Sequence, residues 1–257
     1  MHNILTLVVN LEGSTQRLDA VAGDLDRAGI KWQRLDAVDF RGRDPSKIAN
    51  YDSRACHIRH DGDLTGGEMG CVLSHHKSLQ LFLVGSADFC LILEDDAEIS
   101  QDAAVVLRDV IDGLNAFGNS DWDVIFLALK SRGFDRFALA VGECDVMRTS
   151  YTPCGTAVVL WTRAGAQSYL GSRFGKTIRG PIDREFRSHF ARRGRSYKMT
   201  PAPFSRRTFK SDIDPDETRF AQGTRRHRSS VRCRVQRHFP DYFHAWLNTW
   251  MWRLGLR

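Results

Sequence analysis

The sequence predicts one α/β domain, a mixed sheet flanked by helices, over residues 1–222, and a basic, aromatic helical tail over residues 223–257. Apolar runs of strand length alternate with amphipathic segments of helical length from residue 4 to residue 200, as in domains that layer helices on a sheet. The order strand–helix–strand at the start is typical of nucleotide-binding α/β domains. An apolar run at residues 90–93 also leads directly into three acids, as expected where a buried strand ends.

The first element is an apolar strand at residues 4–9, followed by a turn and Ser14 as a candidate N-cap. Leu18, Val21 and Leu25 then recur at helical spacing, and an extended pattern resumes at residues 30–35. Neither a G-x-G-x-x-G motif nor a Walker loop follows the strand, which disfavours dinucleotide and P-loop proteins. Arg17 could reach a phosphate from this first helix, although a solvated arginine is the alternative.

Residues 40–63 are polar and broken by glycine and proline, which predicts a loop with short helical pieces. The next segment, residues 64–83, places apolar side chains on one helical face and Glu68, Cys71 and His75 on another. Gly66 and Gly67 would leave backbone amides at the start of this helix, where a phosphate can bind. The alternative is a glycine turn before a core helix that carries a hydrogen-bonded histidine.

Glu94, Asp95 and Asp96 are three adjacent carboxylates, and each raises the cost of ionising the next. A bound cation would relieve this repulsion. Side chains alternate along a strand, so Glu94 and Asp96 should point to one side and Asp95 to the other. Ligands of open α/β sheets bind outside the carboxyl ends of the strands, where these acids would lie. The alternative is an acidic helix start that Asp95 or Asp96 caps.

The second half of the domain continues the same alternation. Pro181 suits the first position of a helix, so Asp183 and Glu185 could lie in a first turn simply because they favour the helix dipole. The other predicted elements are a helix at 105–114, a strand at 124–129, short strands within 131–150, a strand at 157–161 and a helix at 164–170.

Composition indicates a globular protein with anionic partners. The chain has 257 residues, a net charge of +6 and a pI near 9.1. Its start lacks the features of a signal peptide, and no apolar run approaches the roughly 20 residues that span a bilayer. The six cysteines include no C-x-x-C pair, which argues against zinc and a disulfide framework. We therefore expect a cytoplasmic protein.

The tail combines a cluster of arginines with an aromatic helical stripe. The stripe recurs at helical spacing, which with the arginines favours an interfacial helix on an anionic membrane. A helix docked on the domain through its aromatic side chains is the alternative. The arginines are Arg225, Arg226, Arg228, Arg232, Arg234 and Arg237, and the stripe contains Phe239, Tyr242, Phe243, Trp246, Leu247, Trp250 and Leu254.

Several stretches occur together in the order of one known family. They lie at residues 9–17, 36–39, 64–75, 91–97, 122–127, 181–183 and 211–213. In these stretches the chain resembles glycosyltransferase family 25, which includes bacterial lipooligosaccharide galactosyltransferases and collagen galactosyltransferases. The block from Gly67 to Asp96 is the most specific part of the match.

The resemblance implies a GT-A type fold and inverting transfer of galactose from UDP-galactose to a glycan acceptor, such as lipooligosaccharide, with a divalent metal ion. Manganese or magnesium suits carboxylate oxygens. Asp96 is the first candidate metal ligand and Asp95 the second, and Asp183, then Glu185, is the candidate base that deprotonates the acceptor. The implied nucleotide-sugar contacts are Asn10, Arg17, Thr65, Gly67, Glu68, His75, Glu94 and Asp95.

Two other functions fit parts of the sequence. A glycoside hydrolase also uses paired carboxylates, but it acts without a nucleotide or metal. A nucleic-acid-binding protein would account for the basic charge, but it leaves the acidic run without a role and no recognition motif accompanies the arginines. We therefore expect a nucleotide-sugar donor, a glycan or lipid-linked acceptor and an anionic membrane surface as partners, and no nucleic acid.

Overall fold

A computed structural model describes residues 2–60, 62–116, 121–128, 133–209 and 231–255. The described strands are β1 Ile4–Asn10, β2 Gln33–Asp36, β3 Phe89–Glu94, β4 Ala97–Glu98, β5 Val124–Phe126, β6 Asp135–Val141, β7 Cys144–Thr149, β8 Val158–Thr162, β9 Ser196–Thr200 and β10 Ser205–Arg206. The described α-helices are α1 Thr15–Arg27, α2 Ser53–His60, α3 Gly66–Val84, α4 Ala103–Ala116, α5 Arg163–Gly171, α6 Arg173–Lys176, α7 Ile182–Arg193 and α8 Val231–Arg253.

Eight strands form one mixed sheet in the order β2-β1-β3-β8-β5-β9-β7-β6. Strand β1 is parallel to β2 and β3, and β5 is parallel to β9. Strand β8 lies between β3 and β5 and is antiparallel to both. Strands β4 and β10 form a separate antiparallel pair beside the end of β3. The predicted mixed α/β sheet with flanking helices is therefore confirmed.

The central strand β3 is buried on both faces. Leu91 and Leu93 pack into a core with α1 and α4, and Cys90 and Ile92 pack into a second core with α3, α5 and α7. Because successive side chains alternate across a strand, an apolar run without polar interruption is what a strand between two helical layers requires. This double burial fixes β3 and thereby the position of the acids that follow it.

Helix α3 begins with a reciprocal cap, and its glycines let the backbone before it approach closely. The Thr65 side chain accepts from the Glu68 amide, while the Glu68 carboxylate accepts from the Thr65 amide at 2.8 Å. A Cβ at Gly66 would lie 2.3 Å from the Phe40 carbonyl oxygen, and one at Gly70 would lie 2.4 Å from that of Val38. The segment at 38–40 is therefore held directly against the first turns of α3.

Helix α8 docks on the domain through one face. Asn248 donates to the Ala191 carbonyl at 2.6 Å, and Asp241 accepts from the Ser188 hydroxyl of α7 at 2.9 Å. Trp252 is buried, and Arg148 lies 4.7 Å from its ring centroid. Docking, the alternative for the tail, is thus observed for this face, because its polar residues find partners on α7.

The opposite face of α8 leaves its aromatic side chains in solvent, as half-exposed groups on successive turns of the helix. Phe239, Phe243, Trp246 and Trp250 are 64%, 48%, 55% and 48% exposed. No helix in the described part of the chain is both long and apolar enough to cross a membrane. Of the tail arginines, Arg225, Arg226 and Arg228 lie outside the described residues, as does the family match at 211–213.

Boundaries differ from the sequence prediction by small amounts. The predicted strand at 124–129 ends at Phe126, and Pro181 lies at the N-cap of α7 rather than at its first helical position. Ser14 precedes α1, but its side chain makes no capping hydrogen bond. The short strands expected within 131–150 are the hairpin of β6 and β7.

Candidate active site

A cleft of about 860 Å³, counting its open mouth, lies at the carboxyl ends of β1 and β3. Its floor is formed by the start of α3 and by residues 37–41, and its wall by the acidic run and the segment after β10. This is where ligands of open α/β sheets are expected, because loops and helix starts converge outside the strand ends. The cleft brings together Glu94, Asp95, Asp96, Arg17, Gly67 and His75 from the sequence prediction.

Asp95 is held by two groups from the opening strand and helix. Arg17 Nη1 of α1 donates to one carboxylate oxygen at 2.7 Å, and Asn10 Nδ2 of β1 donates to the other at 2.8 Å. Asn10 in turn accepts from Arg34 at 3.0 Å. Asp95 is thereby fixed as a neutralised anion, which joins three residues that the sequence analysis placed at the nucleotide-sugar site.

Asp96 is paired on one side only. Arg206 of β10 donates to Oδ2 through Nε, at 3.1 Å, and through Nη2. The other oxygen, Oδ1, is buried and has no hydrogen-bond partner among the described residues. Burial, and then the charge of Glu94, raise the pKa of Asp96, while Arg206 opposes that rise. Oδ1 is therefore a desolvated oxygen to which no described residue donates a hydrogen bond.

Glu94 ends β3 and faces α3. It accepts from the Thr156 hydroxyl, and one of its oxygens lies 3.5 Å from His75 Nε2. Burial alone would raise the pKa of Glu94, but the nearby His75 and the Thr156 hydroxyl outweigh burial and lower it. The Cys71 thiol, one helical turn before His75, completes a group whose ligand atoms all lie within 4.8 Å of one another.

Three predicted nucleotide-sugar contacts, Asn10, Thr65 and Glu68, lie outside the cleft lining. Thr65 and Glu68 are engaged in the cap of α3, and Glu68 is buried. The close approach of the Phe40 backbone requires glycine at position 66, so packing alone explains Gly66. The roles assigned to these residues by resemblance stay predictions.

The two candidate bases occupy different environments. Glu185 is 1% exposed, and it accepts from Arg59 at 2.6 Å and from Arg179 at 3.4 Å. Burial raises its pKa, and the two arginines oppose that rise. Asp183 lies in the first turn of α7, and its charge, after desolvation, raises the pKa of the neighbouring Cys154 thiol.

Cys154 belongs to the segment that also carries Thr156, the hydroxyl donor to Glu94. Asp183 therefore lies next to the segment whose Thr156 contacts the acidic run, although Asp183 itself does not line the cleft.

Sequence reasoning did not find the cations at the far end of the domain. Arg206 and Arg207 come from residues 205–209, about 110 positions after the acids, and Arg207 donates its amide to the Asp96 carbonyl at 2.7 Å. Phe209 also lines the cleft, and Arg17 stacks over its ring at 5.2 Å. Arginines in a basic sequence carry no local signal of pairing, so only the fold identifies them.

The family model described as "Glycosyltransferase family 25 (LPS biosynthesis protein)" matches residues 3–148, more than half of the chain. The match places the chain in a class of proteins that the family description names as glycosyltransferases. The chain belongs to glycosyltransferase family 25. The matched range contains Glu94, Asp95, Asp96 and the start of α3.

Curated relatives are distant in sequence. A "Glycosyltransferase 25 family member" of Aedes aegypti is 24% identical over 149 residues, which cover 56% of this chain and 24% of the relative. The human "Procollagen galactosyltransferase 2" is 24% identical over 182 residues, 68% of this chain and 28% of the relative. The chain thus spans about a quarter of the length of the curated relatives that it matches.

Among solved structures, the chain is similar to one titled "Crystal structure of a glycosyltransferase involved in the glycosylation of the major capsid of PBCV-1". The two are 10% identical, and the match covers 64% of this chain and 61% of the other, with a TM-score of 0.28. A score of this size is too low to indicate a shared fold.

Proposed function

We propose that this glycosyltransferase transfers galactose from UDP-galactose, with inversion, to a hydroxyl of a glycan acceptor such as a lipooligosaccharide. The observation that carries the proposal is the cleft at the strand ends, where the acidic run meets Arg17, Arg206 and Arg207. The sugar and the class of acceptor follow the galactosyltransferase and LPS-biosynthesis names of the relatives and the family. A GT-A type arrangement is part of the proposal.

The guanidinium groups suit the diphosphate of the donor. Arg17, Arg206 and Arg207 all line the cleft, and guanidinium groups bind phosphate oxygens through paired N–H donors. Arg206 and Arg17 also hold Asp96 and Asp95, so a bound diphosphate would share these cations with the acids. Gly67 lies at the cleft floor, where the lack of a side chain lets a phosphate approach the backbone.

The residues present fit a divalent metal ion at Asp96. Its Oδ1 is buried and without a hydrogen-bond partner among the described residues, so a cation would supply the missing interaction. Both oxygens of Asp95 already accept hydrogen bonds, which makes it a weaker candidate ligand. A manganese or magnesium ion, when bound, would neutralise the charge that develops on the departing UDP.

Asp183 is the proposed base. It would accept the proton of the acceptor hydroxyl as that oxygen attacks the anomeric carbon from the side opposite UDP. Asp183 lies in the first turn of α7 beside Cys154 and is only half-buried. Glu185 is the weaker choice because its carboxylate is buried beneath Arg59 and Arg179.

A screen of UDP-sugars with and without manganese tests the function. We expect UDP release from UDP-galactose in excess over other UDP-sugars, dependence on the metal, and an acceptor product heavier by one hexose in mass spectrometry. Preferential release of UDP from a different UDP-sugar would show that galactose is not the sugar transferred. Cleavage of glycans without any nucleotide would overturn the proposal.

We further propose that the exposed face of α8 contacts an anionic membrane, where a lipid-linked acceptor would be presented. Phe243, Trp246 and Trp250 lie half-exposed on one stripe, and the preceding segment carries six arginines between residues 225 and 237. Aromatic side chains prefer the membrane interface, and arginines are attracted to anionic lipid headgroups.

Vesicle sedimentation tests this surface without disturbing the docked face. We expect Trp246→Ser/Trp250→Ser to lower binding to phosphatidylglycerol-containing vesicles at least several-fold. Phe137→Ser is a matched control, because Phe137 is an aromatic side chain 55% exposed on β6. Equal binding by the wild type and the double variant would remove α8 from this role.

A further inference from the structure

The face of α3 that lines the cleft carries Cys71 and His75, which together with Glu94 form a group of three metal-ligating residues. The proposed transfer mechanism assigns no metal ion to this group. Cys71 and His75 are separated by one helical turn, and Glu94 reaches them from the end of β3. Their candidate ligand atoms, one sulfur, one imidazole nitrogen and one carboxylate oxygen, lie within 4.8 Å of one another. Residues at i and i+4 share a helix face, which explains the proximity of the first two.

His75 provides an independent observation. Its side chain is 1% exposed, and both ring nitrogens lack a hydrogen-bond partner among the described residues. Phe186 packs against the ring edge-on, with centroids 5.9 Å apart, and fixes its orientation without satisfying a nitrogen. A buried imidazole with two unsatisfied nitrogens is unfavourable, so a ligand at Nε2 would remove a cost of folding.

The spacing between His75 and Glu94 is that of two ligands of one ion. Nε2 lies 3.5 Å from the nearest carboxylate oxygen, which is long for a hydrogen bond between nitrogen and oxygen. Nitrogen and oxygen ligands bind zinc at about 2.0–2.2 Å, so two of them in tetrahedral positions are about 3.4 Å apart. The observed separation leaves room for an ion between them.

From this geometry we propose that Cys71, His75 and Glu94 bind a zinc ion, at a site separate from the Asp96 oxygen. A sulfur, nitrogen and oxygen donor set selects zinc over magnesium or manganese, which prefer oxygen ligands alone. Binding releases the Cys71 thiol proton to solvent, and the resulting thiolate and the Glu94 carboxylate balance the two charges of the ion. All three residues line the cleft, so a fourth ligand position would be open to water or an anion.

Alkylation of the wild-type protein tests the site directly. Cys71 and Cys144 are both partly exposed, but Cys144 begins β7 and lies outside the cleft. The rate of iodoacetamide modification of each cysteine is measured by peptide mass spectrometry. We expect stoichiometric zinc to slow modification of Cys71 at least tenfold and to leave the rate at Cys144 unchanged. Magnesium should have no effect at either cysteine. An unchanged rate at Cys71, or equal slowing at both cysteines, would overturn the proposal.

Cobalt substitution provides a second readout. Cobalt at this site should give a thiolate-to-metal charge-transfer band in the wild type and in Cys144→Ser, and none in Cys71→Ser. A band that persists in Cys71→Ser would refute the assignment. If Cys71→Ser does not fold, the alkylation rates of the wild type decide.

The Asp96→Asn variant separates this site from the transfer reaction. It should lose manganese-dependent transfer and keep zinc protection of Cys71. Loss of zinc protection in that variant would mean that the acidic run, and not the three-residue group, holds the ion. Zinc protection without any transfer activity in the wild type would leave the site in place and remove the proposed function.

Discussion

The cleft and the layer between α3, α5 and α7 both bury ionisable side chains, but they differ in access. In the cleft, one oxygen of Asp96 has no hydrogen-bond partner within the described part of the chain, and it lies at the edge of an open cavity. In the interior layer, Glu185 is enclosed by Arg59 and Arg179, and His76 is sealed against Tyr169 with a nitrogen–oxygen distance of 3.2 Å. Buried charge therefore indicates chemistry only where a ligand can reach it. Elsewhere it is part of the packing.

The largest expected difference is at Asp96. Asp96→Asn should lower transfer about a thousandfold and leave the fold intact, since a metal ion supplies several kcal/mol and each 1.36 kcal/mol is tenfold in rate. Initial rates of hexose transfer measure the activity, and circular dichroism checks the fold. Asp109→Asn, on an exposed carboxylate of α4, is the control. Full activity in Asp96→Asn would remove Asp96 from the cleft chemistry.

Asp183→Asn should separate binding from turnover. A general base contributes about 10²–10⁴-fold, so we expect kcat to fall at least a hundredfold while UDP affinity stays unchanged. Calorimetric titration with UDP and steady-state kinetics distinguish the two quantities. Normal turnover by this variant would end its assignment as the base.

In the interior layer the effect should appear in stability. Glu185→Ala leaves two half-buried arginines without their buried carboxylate, so the free energy of unfolding should fall by about 3–5 kcal/mol. Urea unfolding measures it. Asp121→Ala, at an exposed ion pair with Arg195, should cost less than about 1 kcal/mol. If both variants cost the same, the interior pairing is no stronger than a surface one.

A double-mutant cycle with Arg59 sharpens this contrast. The double variant Arg59→Met/Glu185→Ala should lose less unfolding free energy than the two single variants lose together. Without Glu185, Arg59→Met removes one of the charges that would otherwise be left unpaired. Strict additivity would mean that the two side chains do not interact energetically.

The smallest expected effect depends on pH. Burial, and then the charge of His75, lower the pKa of His76 from 6.5 to about 4. Between these values the unfolded chain binds a proton that the folded chain does not, so stability falls as pH falls from 6.5 to 4, by up to about 3 kcal/mol. His76→Gln should flatten the pH dependence of urea midpoints. An unchanged slope in His76→Gln would contradict this.

The elements of this fold were predictable wherever local pattern decided them. The apolar run of β3 and the glycine turn before α3 can be predicted from their own residues. The place of β8 between β3 and β5 was not predictable, since an apolar strand has no mark of its direction or neighbours.

The residues of the candidate site likewise include some that the sequence predicts and some that only the fold identifies. The acids and His75 could be named from sequence, because their spacing and the resemblance to one family single them out. Arg206 could not, because a pairing across about 110 residues has no local signal. Cys71 carries a weaker signal, because a cysteine and a histidine four residues apart share one face of a helix but do not form a C-x-x-C pair.

The insertion of β8 has a consequence for how the chain folds. The family match ends at residue 148, and the strand that joins β3 to β5 begins only at Val158. A nascent chain that has emerged only to residue 148 therefore has two separate pieces of sheet, β2-β1-β3 and β6 with β7. Strand β5 pairs with neither piece, because its partners are β8 and β9. Closure needs pairing between strands distant in sequence, which slows folding. A fragment cut at the family boundary should be aggregation-prone, and the sheet should close only once β9, which ends at Thr200, has left the ribosome.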